Sequence, residues 1–186
     1  MKRTFDLILS IILILLLAIP MAIISILIKS NSKGPALYWS NRFGCNNLIF
    51  KMPKFRSMKQ NTASIASHLM DDPDQFTTSF GKFIRKTSLD ELPQLYSVVK
   101  GDMSLVGPRP ALFNQDDLMT LRLKKGVDIL IPGITGWAQV NGRDELSLDL
   151  KVKFEVEYLN KKSFWFDIKI LWMTFIKVFH GKDVSH

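Results

Sequence analysis

Hydrophobic positions concentrate at the two ends of the chain and are patterned differently at each. Residues 7–28 form an uncharged apolar run of 22 residues, LILSIILILLLAIPMAIISILI. A straight helix of that length rises roughly 33 Å at about 1.5 Å per residue, enough to span a bilayer. The run is too long for a signal-peptide core, and no A-x-A site follows it. Pro20 lies inside it, cannot donate to the carbonyl of Leu16, and is expected to kink or break the helix. Lys2 and Arg3 precede the run and Lys29 and Lys33 follow it, so the positive-inside bias assigns no direction. Two topologies stay open: a plain span, and a re-entrant segment that turns near Pro20. In the second, Ser10 or Ser25 would help satisfy freed backbone groups. At the other end, Phe164, Ile168, Trp172, Phe175 and Phe179 recur at spacings of four and three, one mostly aromatic helical face. Lys162, Lys169, Lys177 and His180 fall toward another side. That pattern suits a core helix or one lying in a membrane interface, and the apolar run favours the interface.

The stretch between is more polar. Residues 36–40 and 48–50 are short apolar runs separated by Asn41-Arg42-Phe43-Gly44-Cys45-Asn46-Asn47, which predicts a hairpin with a loop. Residues 60–79, rich in Thr, Ser, Asn and Asp, read as a loop, and Asp71-Asp72-Pro73-Asp74 within it as a solvated turn. Residues 113–126 carry helix signals: Asn114 as cap, Asp116 and Asp117 in the first turn, Lys124 and Lys125 in the last, Gly126 at the exit. Residues 147–158 fit two periods. Leu148, Leu150, Val152, Phe154, Val156 and Tyr158 alternate as in a strand, while Leu148, Val152, Val156 and Leu159 make a helical stripe. The helix would carry Lys151–Glu155 and Lys153–Glu157 as i,i+4 pairs.

Composition narrows the function. With 47% hydrophobic and 23% charged residues the chain is not generally disordered. Cys45 is the single cysteine, so no internal disulfide framework exists, and the three histidines are dispersed. A net charge of +8 favours anionic partners: nucleic acid, nucleotide phosphates or an acidic membrane surface. A nucleic-acid binder would interleave its cations with stacking aromatics. Here the aromatics gather in the tail and the cations are scattered, so no nucleic-acid partner is expected.

The densest polar information lies between Arg85 and Arg109. In Ser88-Leu89-Asp90-Glu91-Leu92-Pro93, a capping box from Ser88 would place Pro93 inside the hydrogen-bond ladder. Asp90 as the cap makes Pro93 the third helical residue, where no intrahelical donor is needed, and sets its carboxylate at the positive end of a dipole. Arg85 and Lys86 precede these acids. Gly107-Pro108-Arg109-Pro110 follows as a rigid turn, and Lys54 and Arg56 lie upstream. A polar, turn-rich stretch ends at Arg143. Cations around an acid pair suggest a diphosphate and a divalent cation, the acids holding the metal and the cations the phosphates.

These residues resemble the bacterial sugar transferases, or monotopic phosphoglycosyl transferases, over essentially the whole chain. The matching pieces are the Pro20-interrupted membrane segment, Lys54-Phe55-Arg56-Ser57-Met58, Ser88-Leu89-Asp90-Glu91-Leu92-Pro93-Gln94-Leu95, the run from Lys100 through Gly107-Pro108-Arg109-Pro110, and Pro132-Gly133-Ile134-Thr135-Gly136. The resemblance implies an α+β, mostly helical protein: a re-entrant membrane helix over residues 1–32, then a catalytic domain over residues 33–186 on the cytoplasmic face. That domain would hold a small β-hairpin and amphipathic interfacial helices. The implied activity, at the bacterial inner membrane, moves a phosphosugar from a UDP-sugar to undecaprenyl phosphate and releases UMP. The implied sugar is an N-acetylated amino sugar. Asp90 and Glu91 map onto the family's catalytic dyad, with Asp90 as nucleophile and Mg2+ required. Lys54 or Arg56, Arg85, Arg109 and Arg143 map onto its phosphate-binding cations. The family breaks its membrane helix at a Ser-Pro or similar pair, and this chain has Ile19-Pro20. A membrane-bound metal phosphatase would use the same acids and cations, and is the alternative.

Overall fold

The computed structural model describes residues 1–59, 73–142 and 146–180. The apolar run forms α1 (Lys2–Asn31), a helix long and apolar enough to cross a membrane by length and composition. Its burial follows a stripe. Asp6, Ser10, Ile24 and Ile28 are buried, and Leu13, Leu17 and Met21 pack against the two larger core clusters. Steps of four and three keep these positions on one side of a helix. The opposite face stays apolar and bare: Leu15, Leu16 and Ile19 are 72%, 71% and 74% exposed. Both ends bind the same body. At the start, Lys2 pairs with Asp167 at 2.6 Å and Arg3 donates to the carbonyl of Val99 at 2.9 Å. At the end, Arg56 donates to the carbonyls of Lys33 and Ser32 at 2.8 and 2.9 Å.

The expected break at Pro20 is corrected in one respect: helix continues through it. Pro20 sits on the exposed side and withdraws a single donor, which the packed stripe on the other side outweighs. Ser25 donates to the carbonyl of Met21 rather than Leu16, and Ser10 Oγ is buried with no partner among the described residues.

β1 (Leu37–Phe43) and β2 (Ile49–Phe55) make the expected antiparallel hairpin, with longer strands than the apolar runs suggest. The connection shrinks to residues 44–48, where Asn46 and Asn47 take positive φ. Both strands are edges of a two-stranded ribbon, so Pro53 is tolerated inside β2. After α2 (Pro73–Phe76) comes α3 (Ser79–Lys86), capped by Thr78, whose hydroxyl accepts from Gly81 N. A 3-10 turn (Leu89–Glu91) leads to α4 (Gln94–Lys100). β3 (Ser104–Val106) and β4 (Gly133–Thr135) then form a short parallel pair on either side of α5 (Asp116–Lys125). Asn114 does not cap α5. Gln115 holds the cap position, and its Oε1 accepts from Leu112 N at 2.8 Å. Residues 60–72, including Asp71 and Asp72, lie outside the described residues.

The ambiguous segment is helical: α6 (Leu148–Lys161), with the Ser147 hydroxyl accepting from Leu150 N. Its acids do not make the expected i,i+4 pairs. Glu155 turns inward to Arg122, and Glu157 binds Trp137 Nε1 and Lys161. α7 (Phe164–His180) buries Ile170 and Asp167 and packs Phe166 and Met173 on the core. Trp165, Trp172 and Phe175 are exposed at 77%, 62% and 54%, so these aromatics lie outside the core. Phe164 instead packs edge-on against Phe5 of α1, ring centroids 5.2 Å apart.

Candidate active site

Three segments converge on one corner: the end of β2, the 3-10 turn before α4, and the loop after β3. The turn is pinned by leucines. Leu89 and Leu92 pack with Ile24 and Ile28 of α1, Phe55 and Ile84, which turns the intervening carboxylates inward. Ser88 takes a left-handed backbone, φ 55°, a conformation that costs a non-glycine residue about 1–3 kcal/mol and that surrounding contacts must hold. The expected cap geometry is corrected here. Pro93 (φ −62°), not Asp90, occupies the N-cap position of α4, and Asp90 lies within the preceding turn. Pro93 has no N–H, so the turn and the helix join there without losing a donor.

Lys54 Nζ lies 2.8 Å from Glu91 Oε1 and 3.9 Å from Asp90 Oδ2, and Arg109 Nη2 lies 3.0 Å from Glu91 Oε1. The side chains of Lys54, Asp90 and Glu91 are only 16%, 10% and 11% exposed. Burial dominates both titrations. It raises the Asp90 pKa against the pull of Lys54, Arg85 and Arg109, with Glu91 adding to the rise. It likewise lowers the pKa of Lys54 despite the two carboxylates. The dipole argument from sequence, which would lower the Asp90 pKa, is therefore overridden by desolvation.

Arg109 is presented by a loop with little freedom. Gly107 N donates to Thr135 O at 2.9 Å and Gly133 N to Pro108 O at 2.8 Å, fastening the loop to β4. The approach is close enough that a Cβ on Gly133 would stand 2.1 Å from Gly107 N, so only glycine fits. Arg42 of β1 donates to the carbonyl of Pro110 at 3.1 Å.

Of the sequence-derived cations, Lys54 and Arg109 reach the acids directly, and Arg85 acts on Asp90 through its charge. Arg56 does not join them. Its guanidinium is spent on the C-terminal end of α1, an orphan-carbonyl region that attracts cations. Arg143 lies outside the described residues.

Beside this corner opens a cavity of about 450 Å3. α1 contributes Leu13 and Leu17, α7 contributes Leu171, Phe175 and Val178, and Ser88, Glu91 and Arg109 line it as polar groups. Gln139 also lines it, and both atoms of its side-chain amide are buried without a partner among the described residues. The sequence does not single out Gln139 or Arg42. Gln139 sits in the polar run ending at Arg143, with nothing to mark it within that run. Arg42 reads from sequence as part of the hairpin loop. The arrangement can bind an anionic phosphorus centre at the carboxylate corner while solvating a hydrocarbon alongside.

Among the described residues no group of three or more His, Cys, Asp or Glu could hold a metal ion. Mg2+ does not require one, because it takes one or two carboxylates and completes its shell with phosphates and water. Asp90 and Glu91 fit that donor set.

Residues 1–181 match the family model described as bacterial sugar transferase. The UDP-glucose:undecaprenyl-phosphate glucose-1-phosphate transferase of Escherichia coli is 38% identical, covering 98% of this chain and 41% of that protein. An Aeromonas hydrophila UDP-N-acetylgalactosamine-undecaprenyl-phosphate N-acetylgalactosaminephosphotransferase is 37% identical, covering 97% and 44%. The chain thus spans about two fifths of those two relatives. An uncharacterized sugar transferase of Bacillus subtilis, EpsL, is 38% identical, covering 100% of this chain and 90% of its own length. With a match of this extent to the family model, the chain belongs to the bacterial sugar transferase family.

Proposed function

We propose that the protein transfers a phosphosugar from a UDP-sugar to undecaprenyl phosphate at the membrane, with Asp90 as nucleophile. The observation that carries this reading is the carboxylate corner, where Lys54 and Arg109 brace Glu91 beside Asp90, and where Glu91 and Arg109 line the polar end of an apolar cavity walled by α1 and α7. A soluble phosphate substrate would need the cations but not the hydrocarbon wall. A lipid phosphate needs both.

The chemistry balances in two displacements. An Asp90 carboxylate oxygen attacks the sugar-linked phosphorus, the bond from that phosphorus to the bridging oxygen breaks, and UMP departs with the electron pair. A phosphate oxygen of the lipid then attacks the same phosphorus, and the Asp90 carboxylate leaves. The sugar C1–O bond stays intact. Asp90 must be ionised to attack, and Lys54, Arg85 and Arg109 supply the positive field that favours the anion against burial. Arg109 is placed to clamp a phosphate oxygen, with Arg143 as a second cation from the sequence. Glu91, held by Lys54 and Arg109, orients the pair. Asp90 and Glu91 would hold Mg2+, which when bound neutralises charge on the diphosphate.

The bare apolar face of α1, with both its ends on one body, supports a monotopic attachment in which α1 does not cross the bilayer, while re-entry and the cytoplasmic side rest on the sequence resemblance. The named relatives handle glucose and N-acetylgalactosamine. An N-acetylated amino sugar is the donor expected from sequence, and UMP release across a panel of UDP-sugars decides it. The central test is intact-protein mass after exposure to UDP-sugar alone. One phosphosugar should be gained and map to Asp90, with UMP released in equal amount. Steady release of inorganic phosphate with no adduct would indicate a phosphatase and overturn the reading.

A further inference from the structure

α5 and α6 bury an ion pair directly behind the backbone of Arg109. Arg122 and Glu155 are 5% and 2% exposed, and Arg122 Nε donates to Glu155 Oε2 at 2.8 Å. Arg122 Nη2 bonds the second Glu155 oxygen and also donates to the carbonyl of Arg109 at 2.9 Å. The surroundings are apolar, since Ala111, Leu118, Met119 and Val152 form the adjoining cluster. A buried pair in such a place is seldom there for stability, because well-packed apolar residues of similar volume usually do as well or better. What an apolar pair cannot supply is the third hydrogen bond.

That bond falls between restraints on either side of Arg109. Pro108 and Pro110 have fixed φ, and Pro110 confines Arg109 to extended backbone. Gly107 and Pro108 are tied to β4 by backbone bonds, and Arg42 takes the carbonyl of Pro110. The carbonyl of Arg109 lies between these ties, and Arg122 fixes its direction. The guanidinium on the other side of the same residue reaches Glu91 at 3.0 Å. A planar fork is suited to this role, because two of its donors bind a carboxylate while another reaches a third acceptor.

We propose that Arg122, oriented by Glu155, is a positioning residue that sets the Arg109 guanidinium against the carboxylate corner. The proposal rests on the functional reading above for its consequence on turnover, but not for its consequence on the loop. The test uses the full chain in detergent, with Arg122→Met/Glu155→Leu as the apolar replacement of the pair and Arg122→Lys as a variant that keeps the charge and loses the fork. Both should fold with thermal midpoints within a few degrees of the native protein. Amide hydrogen exchange should accelerate at least tenfold across residues 107–112 and stay unchanged in α4. Formation of the phosphosugar adduct should slow at least tenfold, and in an Arg109→Ala background the same changes should add less than threefold, because their effect passes through Arg109. Native exchange across 107–112, or losses that multiply with Arg109→Ala, would overturn the proposal. So would a double variant that keeps its turnover; if that variant does not fold, Arg122→Lys alone decides between the outcomes. Accelerated exchange in a protein whose native form makes no adduct would leave the clamp standing and remove the functional reading instead.

Discussion

Lys54→Met tests the electrostatic design of the corner. The ammonium faces Glu91 at 2.8 Å and Asp90 at 3.9 Å with all three side chains largely buried. At an effective dielectric near 20 these attractions are about 6 and about 4 kcal/mol before desolvation is subtracted. The lowered Lys54 pKa shows that desolvation, with repulsion from Arg109 and Arg42, outweighs that gain for the charged ammonium. Removing one partner of a buried pair costs about 3–5 kcal/mol. Glu91 keeps Arg109, Asp90 can take up a proton, and the ammonium itself is held at a net desolvation cost, so the loss should sit well below that range, at roughly 1 kcal/mol. For a chain of this length that lowers the thermal midpoint by about 2–4 °C. The pH dependence has a fixed sign. Without Lys54, burial raises the Asp90 pKa further, and a carboxyl whose folded pKa exceeds its unfolded value contributes stability at low pH that is lost as pH rises through that interval. The deficit of Lys54→Met should therefore be larger at pH 8 than at pH 5, and turnover at neutral pH should fall at least 100-fold and partly recover on the alkaline side as Asp90 ionises. The measurements are midpoints in detergent and UMP release, each across pH. A variant as stable and as active as the native protein at neutral pH would refute this account of the corner.

Other variants separate the remaining parts. Asp90→Asn should abolish the adduct yet raise the thermal midpoint at neutral pH and not at low pH, since it removes a desolvated anion whose pKa burial has raised; equal midpoints at every pH would contradict that direction. Arg109→Lys should cut kcat/KM for UDP-sugar at least tenfold, about 1.4 kcal/mol, because a point charge cannot replace the fork. Changing Trp165 and Trp172, 77% and 62% exposed, to Ser should weaken membrane retention without lowering the midpoint in detergent; a fall in stability alone would make α7 an ordinary core helix. Cysteine labels at Thr4 and Lys33 in a Cys45→Ser background should react from the same side of sealed vesicles, and opposite accessibility would make α1 a plain span.

Local chemistry explains what the sequence makes legible. The hairpin, α1, α5 and α7 announce themselves through uninterrupted runs, helical spacing, capping acids and exit glycines, all of which act within a few residues. The segment forming α6 is not decided by its own period. The outcome follows from Ser147 capping and from the burial of Val152, Glu155 and Tyr158 on one side. β3 and β4 are three residues each, too short to show any alternation. Asp90, Glu91, Lys54 and Arg109 are legible because acids and cations cluster in turn-rich segments. Arg56 looks equivalent to Lys54 in sequence, and strand alternation would put the two on one face, but Arg56 lies just past the end of β2 and turns to the carbonyls after α1. Glu155 reads as half of a surface pair with Lys151, because its partner Arg122 is 33 residues away and period analysis carries no information at that distance.

On the proposed reading, one element serves as membrane attachment and as a wall of the site. The inner stripe of α1 carries Leu13 and Leu17 into the cavity, and Met21, Ile24 and Ile28 hold the leucines that flank Asp90 and Glu91. Its outer face is an apolar surface too continuous for water, since exposed patches of that kind mark contact with protein or lipid. A lipid phosphate and a nucleotide sugar differ in where they reside: one is confined to the bilayer surface, the other to the aqueous phase. A site that serves both must lie at the boundary, with hydrocarbon on one side and cations on the other. On that reading α1, held at both ends to the rest of the protein, with an exposed apolar face on one side and cavity-lining leucines on the other, meets that requirement. Under the proposed reaction, depth in the membrane and geometry at Asp90 would be set by one piece of structure, and a lipid phosphate drawn in along α1 would arrive at the height of the carboxylate proposed to hold its sugar.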